Sequence, residues 1–216
     1  MSTNEVPTYF NVKLEFDKEK FDKIVDEAIQ TGKVGYVCSV ESNNLTVANT
    51  DTKFLKVLNG ALVNNCDGSI LAKVLSLIYK RKLESYIGAD IFIKYIGMCK
   101  YRQFFLGNTP EVLSGLKNNL SKLDPEIKNM RFETLPFRSV DEFDYKSIAH
   151  MINEDNPDII WVSLGAPKWM LKLRLEWLHR AFEQPKKNVP RYWNFIKILP
   201  ILAFGEKSKS REVSNV

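Results

Sequence analysis

The chain has 216 residues, of which 44% are hydrophobic and 26% charged, and a formal net charge of +5. This is enough for one α/β domain with a real core and a short appendage. Three cysteines (Cys38, Cys66, Cys99) with no C-x-x-C, and only two histidines (His150, His179), argue against a disulfide framework, a zinc site and histidine-based triad chemistry, and favour a reduced cytosolic setting.

In chain order, FNVKLEF (10–16) reads as a strand, and Phe21, Ile24, Val25, Ala28 and Ile29 share one helix face. GYVCSV (35–40) is a β-rich run. It is followed by one helix through Ala48, Phe54, Leu55 and Leu58, then the short strand ALVNN (61–65). Ile70, Leu71, Val74, Leu75 and Ile78 define the next helix, and GADIFIKYIGMC another. YRQFFLG (101–107) is a strand, and Pro110 stands near the first turn of a helix through Leu120. MRFETL (130–135) is a strand, Asp141 to Ile152 a helix, and DIIWVSL (158–164) the last strand. Such alternation predicts an α/β fold, a parallel sheet with helices on both faces, whose ligands bind beyond the carboxyl ends of the strands.

The charge is uneven. From Lys168 to Val216 there are 11 Lys plus Arg against 4 Glu, a net of +7, whereas the other 167 residues hold 20 basic and 22 acidic groups. A nucleic-acid binder would carry basic residues on the main domain too. A local basic segment suits an anionic membrane surface or a phosphate-bearing ligand. In LKLRLEWLHRAFEQPKKNVPRYWNFIKIL, Lys172, Arg174, Arg180, Lys186, Lys187 and Arg191 are interleaved with Leu, Trp and Tyr. This fits an interfacial helix, with aromatics at headgroup depth and cations on anionic lipid. It equally fits an amphipathic helix packed on the domain. FIKILPILAF, with Lys197 and Pro200, is about half a bilayer span and is not expected to cross a membrane. The start, MSTNEVPTYF, lacks the features of a signal peptide, and the polar end after Phe204 reads as a disordered tail.

Four strand-to-helix loops are candidate site loops. Asp67 follows ALVNN in Cys66-Asp67-Gly68-Ser69, where it is either a functional carboxylate or a turn and N-cap residue. Ser39 ends GYVCSV, and it either holds a sugar or phosphate or caps the next helix. Gly107 and Asn108 open a loop whose glycine allows close backbone approach and whose helix offers free N–H groups to a diphosphate. Gly165-Ala166-Pro167-Lys168 closes the last strand, with Lys168 placed to pair with a phosphate or to stand as a surface lysine. There is no G-x-G-x-x-G and no G-x-x-x-x-G-K-[ST], which disfavours a nicotinamide-dependent oxidoreductase and a P-loop enzyme.

Several fragments together resemble the WecG/TagA/CpsF glycosyltransferase family. They are Asp67-Gly68; Glu84 with Gly88-x-Asp90; Phe105-Leu106-Gly107 with Pro110; Pro157-Asp158 leading to Leu164-Gly165-x-Pro167-Lys168; and Glu176-Trp177-x-x-Arg180 with Pro185 and Arg191-Tyr192. The resemblance implies a Rossmann-like domain over residues 1–168, a basic, membrane-facing appendage over 169–204 and a tail over 205–216. It implies transfer of N-acetylmannosamine or a related sugar from a UDP-sugar to a polyprenyl-diphosphate-linked sugar, with inversion and without metal or cofactor. The setting would be capsule or surface polysaccharide synthesis at the inner face of the cell membrane. Asp67 would be the general base. Ser39, Gly107, Asn108, Gly165 and Lys168 would bind the donor, and Lys172, Arg174, Arg180, Lys187 and Arg191 would meet diphosphate or lipid.

Two departures stand out. Ser85 follows Glu84 where the family often has Arg. After Pro167-Lys168 the family continues with Gln-Glu, a helix, another glycine-bearing strand and a second Ala-Pro before a tryptophan, whereas here Trp169 follows Lys168 directly. The chain thus resembles a member with an internal deletion after Lys168, expected to expose a strand edge and to impair activity. The alternative is a non-catalytic membrane-surface binding protein on an α/β scaffold.

Overall fold

A computed structural model describes residues 6–136, 140–162, 194–195 and 197–203. They divide into two units, one holding the chain up to Gly88 together with the helical residues near the C-terminus, the other running from Ala89.

The first unit opens with strands β1 (Thr8–Tyr9) and β2 (Val12–Lys13), which pair antiparallel. The single strand expected over 10–16 is therefore a hairpin. Phe10 and Asn11 both have positive φ, 47° and 65°, the geometry of a tight two-residue turn. A left-handed phenylalanine is costly. It is held because its ring is fully buried and its carbonyl accepts from Asn49 Nδ2 at 3.0 Å.

Helix α1 (Lys18–Gln30) is capped by the Asp17 carboxylate, which accepts from the Glu19 and Lys20 amides. Then come β3 (Val37–Val40), α2 (Ser42–Ala48), α3 (Thr52–Asn59), β4 (Val63–Cys66) and α4 (Ser69–Tyr79). The one helix expected through Ala48 and Leu58 is two. Asp51 accepts from the Lys53 and Phe54 amides and so starts a new helix. Strands β3 and β4 are parallel, in register from Val37 opposite Val63 to Val40 opposite Cys66. Their core joins Val40 and Cys66 to Leu45, Leu58, Leu71 and Leu75. Of the expected appendage, residues 194–195 and 197–203 are described, and they are helical. Phe195 is buried in this same core, with Leu199 and Leu202 packed against it.

Helix α5 (Gly88–Gly97) starts on the last residue of the first unit's N-terminal stretch and runs on in the second unit, where it leads to β5 (Gln103–Leu106), α6 (Pro110–Leu120), β6 (Arg131–Glu133), α7 (Tyr145–Asp155) and β7 (Ile159–Val162). The helix expected from Asp141 begins later, because a short 3-10 turn covers Val140–Glu142 and Asp144 caps α7. The sheet order is β6-β5-β7, all parallel. Ile96, Phe105, Leu120 and Ile127 form the core, flanked by Phe92, Phe132 and Trp161. Buried Gln103 accepts from Trp161 Nε1 at 2.6 Å and donates to the Tyr95 carbonyl at 3.2 Å, so both ends of its amide are satisfied. Strand β7 pairs only with β5 among the described residues, and its Ile160 and Val162 are exposed. Parallel strands joined through helices make this a Rossmann-like α/β fold.

Candidate active site

In the first unit the carboxyl ends of β3 and β4 lie side by side, as parallel register requires. The Asp67 amide donates to the Val40 carbonyl at 2.9 Å, tying the two strand ends together. Ser39 is the register partner of Asn65, and Asn65 and Asp67 are two residues apart. Strand alternation thus puts Ser39, Asn65 and Asp67 on one side. Asn64, pointing the other way, donates to the Lys13 and Leu58 carbonyls and serves the scaffold.

Neither Asp67 nor Ser39 caps the helix that follows it. The N-cap of α4 is Gly68, with no side-chain cap, and Asp67 Oδ1 instead accepts from the Gly88 amide at 2.6 Å. Glu41 is the N-cap of α2, and Ser39 Oγ instead donates to Asn65 Oδ1 at 3.0 Å. Both side chains are turned toward Gly88. A Cβ on Gly88 would stand 2.9 Å from Ser39 Oγ and 3.5 Å from Asp67 Oδ1, so a hydroxyl and a carboxylate flank one bare stretch of backbone.

The support beneath is polar and buried. Asn65, fully buried, donates through Nδ2 to the Tyr86 carbonyl at 2.7 Å. The Tyr86 amide donates to the Cys66 carbonyl at 3.0 Å, its hydroxyl donates to Asp22 Oδ1 at 3.1 Å, and its ring packs edge-on against Phe21. The segment leading to Gly88 is therefore fixed from both its main chain and its side chain. Burial pushes the Cys66 thiol up to about 12, with the Asp67 charge adding to the effect, so this cysteine is inert beside the site.

The motif reading missed Asn65, Tyr86 and Asp22. Asn65 had a legible signal: a polar residue two positions before Asp67 in a strand lies on the same face. Glu84, part of the motif set, is exposed and paired with Lys82 at 2.8 Å.

The other candidate donor residues fall elsewhere. Gly107 and Asn108 belong to the second unit, at the end of β5, with φ of 108° and 67°. The Gly107 amide donates to the Glu133 carbonyl at 2.9 Å, and Thr109 caps α6 through the Val112 amide at 3.4 Å. Gly165, Lys168, Lys172, Arg174, Arg180, Lys187 and Arg191 lie outside the described residues. No group of three or more His, Cys, Asp or Glu side chains is placed to hold a metal among the described residues, and no helix there is long and apolar enough to cross a membrane.

The model of the glycosyl transferase WecG/TagA/CpsF family matches residues 9–168. The chain belongs to that family. It is an enzyme family of sugar transfer, and the matched stretch holds Ser39, Asn65, Asp67 and Gly88 together with the loop at Gly107. One curated relative, the N-acetylglucosaminyldiphosphoundecaprenol N-acetyl-beta-D-mannosaminyltransferase of Bacillus subtilis strain 168, is 24% identical over 206 residues. That alignment covers 74% of this chain and 78% of the relative.

Proposed function

We propose that the chain is a hexosyltransferase that moves N-acetylmannosamine, or a closely related sugar, from a UDP-sugar to a polyprenyl-diphosphate-linked N-acetylglucosamine at a membrane surface, and that it does so more slowly than its relatives. The observation that carries this is the convergence of Asp67 and Ser39 on Gly88 at the carboxyl ends of two parallel strands, where α/β folds bind ligands. The family match and the name of the Bacillus relative support this choice of sugar and acceptor.

In the proposed chemistry the acceptor hydroxyl oxygen attacks the anomeric carbon of the donor sugar. The bond from that carbon to the UDP oxygen breaks, and UDP leaves with the bonding electrons. The hydroxyl proton passes to the Asp67 carboxylate, which is anchored through Oδ1 by the Gly88 amide. The charge developing on UDP calls for cations. Lys168, Arg180, Lys187 and Arg191 are the candidates for that role. Capsule or surface polysaccharide synthesis on the inner membrane face is the setting in which such an acceptor occurs.

The slower turnover follows from a missing segment. The family match ends at Lys168, where Trp169 follows directly. The 206-position alignment covers 74% of a 216-residue chain, about 160 residues, so about 46 aligned positions have no counterpart here. Among the described residues β7 pairs only with β5 and exposes Ile160 and Val162, which supports the removal of a following strand and helix. A side-by-side assay with UDP-N-acetylmannosamine and a lipid-diphosphate-linked N-acetylglucosamine tests both parts. This chain should turn over about 10²-fold or more below the Bacillus enzyme, the usual effect of losing one transition-state contact. Equal rates would refute the impairment. A non-catalytic membrane-binding protein would show no UDP-sugar protection against heat.

A further inference from the structure

We propose that Asn65 is a positioning residue: it fixes the direction of the Ser39 hydroxyl, so that Ser39 meets the substrate as a hydrogen-bond acceptor, for a sugar hydroxyl or an acetamido N–H and not for a phosphate oxygen. This rests on the transferase function proposed above and names which part of the substrate Ser39 reads.

The polarity follows from a chain of single-valued choices. The Tyr86 carbonyl, 2.7 Å from the Asn65 side chain, can only accept. The atom of Asn65 that faces it must therefore be the nitrogen. The other end of the same amide, 3.0 Å from Ser39 Oγ, is then Oδ1, which also can only accept. The Ser39 proton is accordingly directed at Asn65. Flipping the amide would set two carbonyl oxygens against each other in a fully buried position, which costs a whole unsatisfied pair. Tyr86 cannot turn away to relieve this, because its amide is bonded to the Cys66 carbonyl and its hydroxyl to Asp22.

A hydroxyl has one proton and two lone pairs. With the proton directed inward, the exposed side of Ser39 offers lone pairs alone. Gly88 keeps the approach open, since any Cβ there would stand 2.9 Å from the hydroxyl oxygen. The neighbouring Asp67 carboxylate is likewise an acceptor. A hydroxyl that faces the substrate with lone pairs alone calls for a ligand group that donates. Sugar hydroxyls and an acetamido N–H donate. Phosphate oxygens do not.

The test is calorimetric titration of the full chain, as wild type, Ser39→Ala, Asn65→Ala and the double variant. The probes are UDP, UDP-N-acetylmannosamine and a short-lipid diphosphate-linked N-acetylglucosamine. Ser39 is exposed, so Ser39→Ala carries the test even where Asn65→Ala folds poorly. Ser39→Ala should bind UDP within about two-fold of wild type and bind one sugar-bearing probe about ten-fold more weakly, the usual worth of one hydrogen bond. Which probe weakens tells whether the donor or the acceptor sugar is read. Asn65→Ala should show the same selectivity, and the double variant should be no weaker than either single one. The inference is overturned if Ser39→Ala weakens UDP as much as the sugar probes, if all three affinities are unchanged, or if the two losses add. If wild type binds none of the probes, the transferase function itself falls and takes the inference with it; that failure is distinct because it appears before any substitution.

Discussion

The Gly88 amide donates to Asp67 Oδ1 at 2.6 Å, across 21 positions of sequence. This bond decides what Asp67 is for. A carboxylate after a strand and before a helix ordinarily caps that helix, and here it does not. Gly68 takes the cap position of α4, and Asp67 is aimed at the first residue of α5, beside the Ser39 hydroxyl. A carboxylate pinned at one oxygen by a backbone donor is held in one place, which a general base requires.

Gly88→Ala should impair the site without unfolding the protein. Gly88 begins a helix, where alanine is favoured by up to about 1 kcal/mol. Its new methyl would nevertheless stand 2.9 Å from Ser39 Oγ and displace it. The expected outcome is an unchanged or slightly raised melting temperature with UDP-sugar affinity lowered about ten-fold, a hydrogen bond's worth. Differential scanning fluorimetry and titration together check it.

Asn65→Leu should destabilise more than Ser39→Ala. Removing the amide leaves the Tyr86 carbonyl without its donor in a buried position, at about 1–3 kcal/mol. Ser39 is exposed, and its truncation should cost about 1 kcal/mol or less. Urea unfolding of the two variants measures the difference.

Stability should be level below pH 9 as far as the buried thiol is concerned and should fall between pH 9 and about 12. Burial raises Cys66 from its ordinary value of 9.0 to about 12, so above pH 9 the unfolded chain ionises this thiol while the folded chain does not. Burial also raises Cys38 and Tyr9, with the same sign. Cys66→Ala should flatten the slope of unfolding free energy against pH in this window. An unchanged slope would mean that the thiol does not contribute.

Gly107→Ala should cost about 1–3 kcal/mol through backbone strain, because the residue sits at φ 108°, where a side chain is disfavoured. Asn108, at φ 67°, is in the left-handed region that asparagine tolerates, and Asn108→Gly should add no backbone strain. Thermal melts of the two variants should therefore move differently.

Much of the fold was legible because periodicity follows burial. The helix faces at Phe21 and Ala28 and at Leu71 and Leu75 are buried as their spacing predicts. The failures lie where a local polar contact overrides the pattern. Nothing in FNVKLEF announces that Phe10 will turn left-handed to be buried, since alternation looks the same in a strand and across a tight hairpin. The break between α2 and α3 hangs on Asp51 acting as a cap, which apolar spacing through Ala48 and Leu58 cannot register. At the site, the position of Asp67 in the sequence made it a candidate, but its direction depended on an amide 21 residues away. Asn65, a polar residue on the same face of the strand as Asp67, mattered through the Tyr86 carbonyl it meets.

The most direct measurement is the rate of sugar transfer from UDP-N-acetylmannosamine to lipid-diphosphate-linked N-acetylglucosamine by this chain and by its Asp67→Asn variant. The variant keeps the shape and loses the base. Slow, measurable transfer by the chain is expected, with a further fall of about 10²-fold or more in Asp67→Asn, the worth of a positioned general base. Transfer at the same rate by both proteins would contradict the general-base role of Asp67.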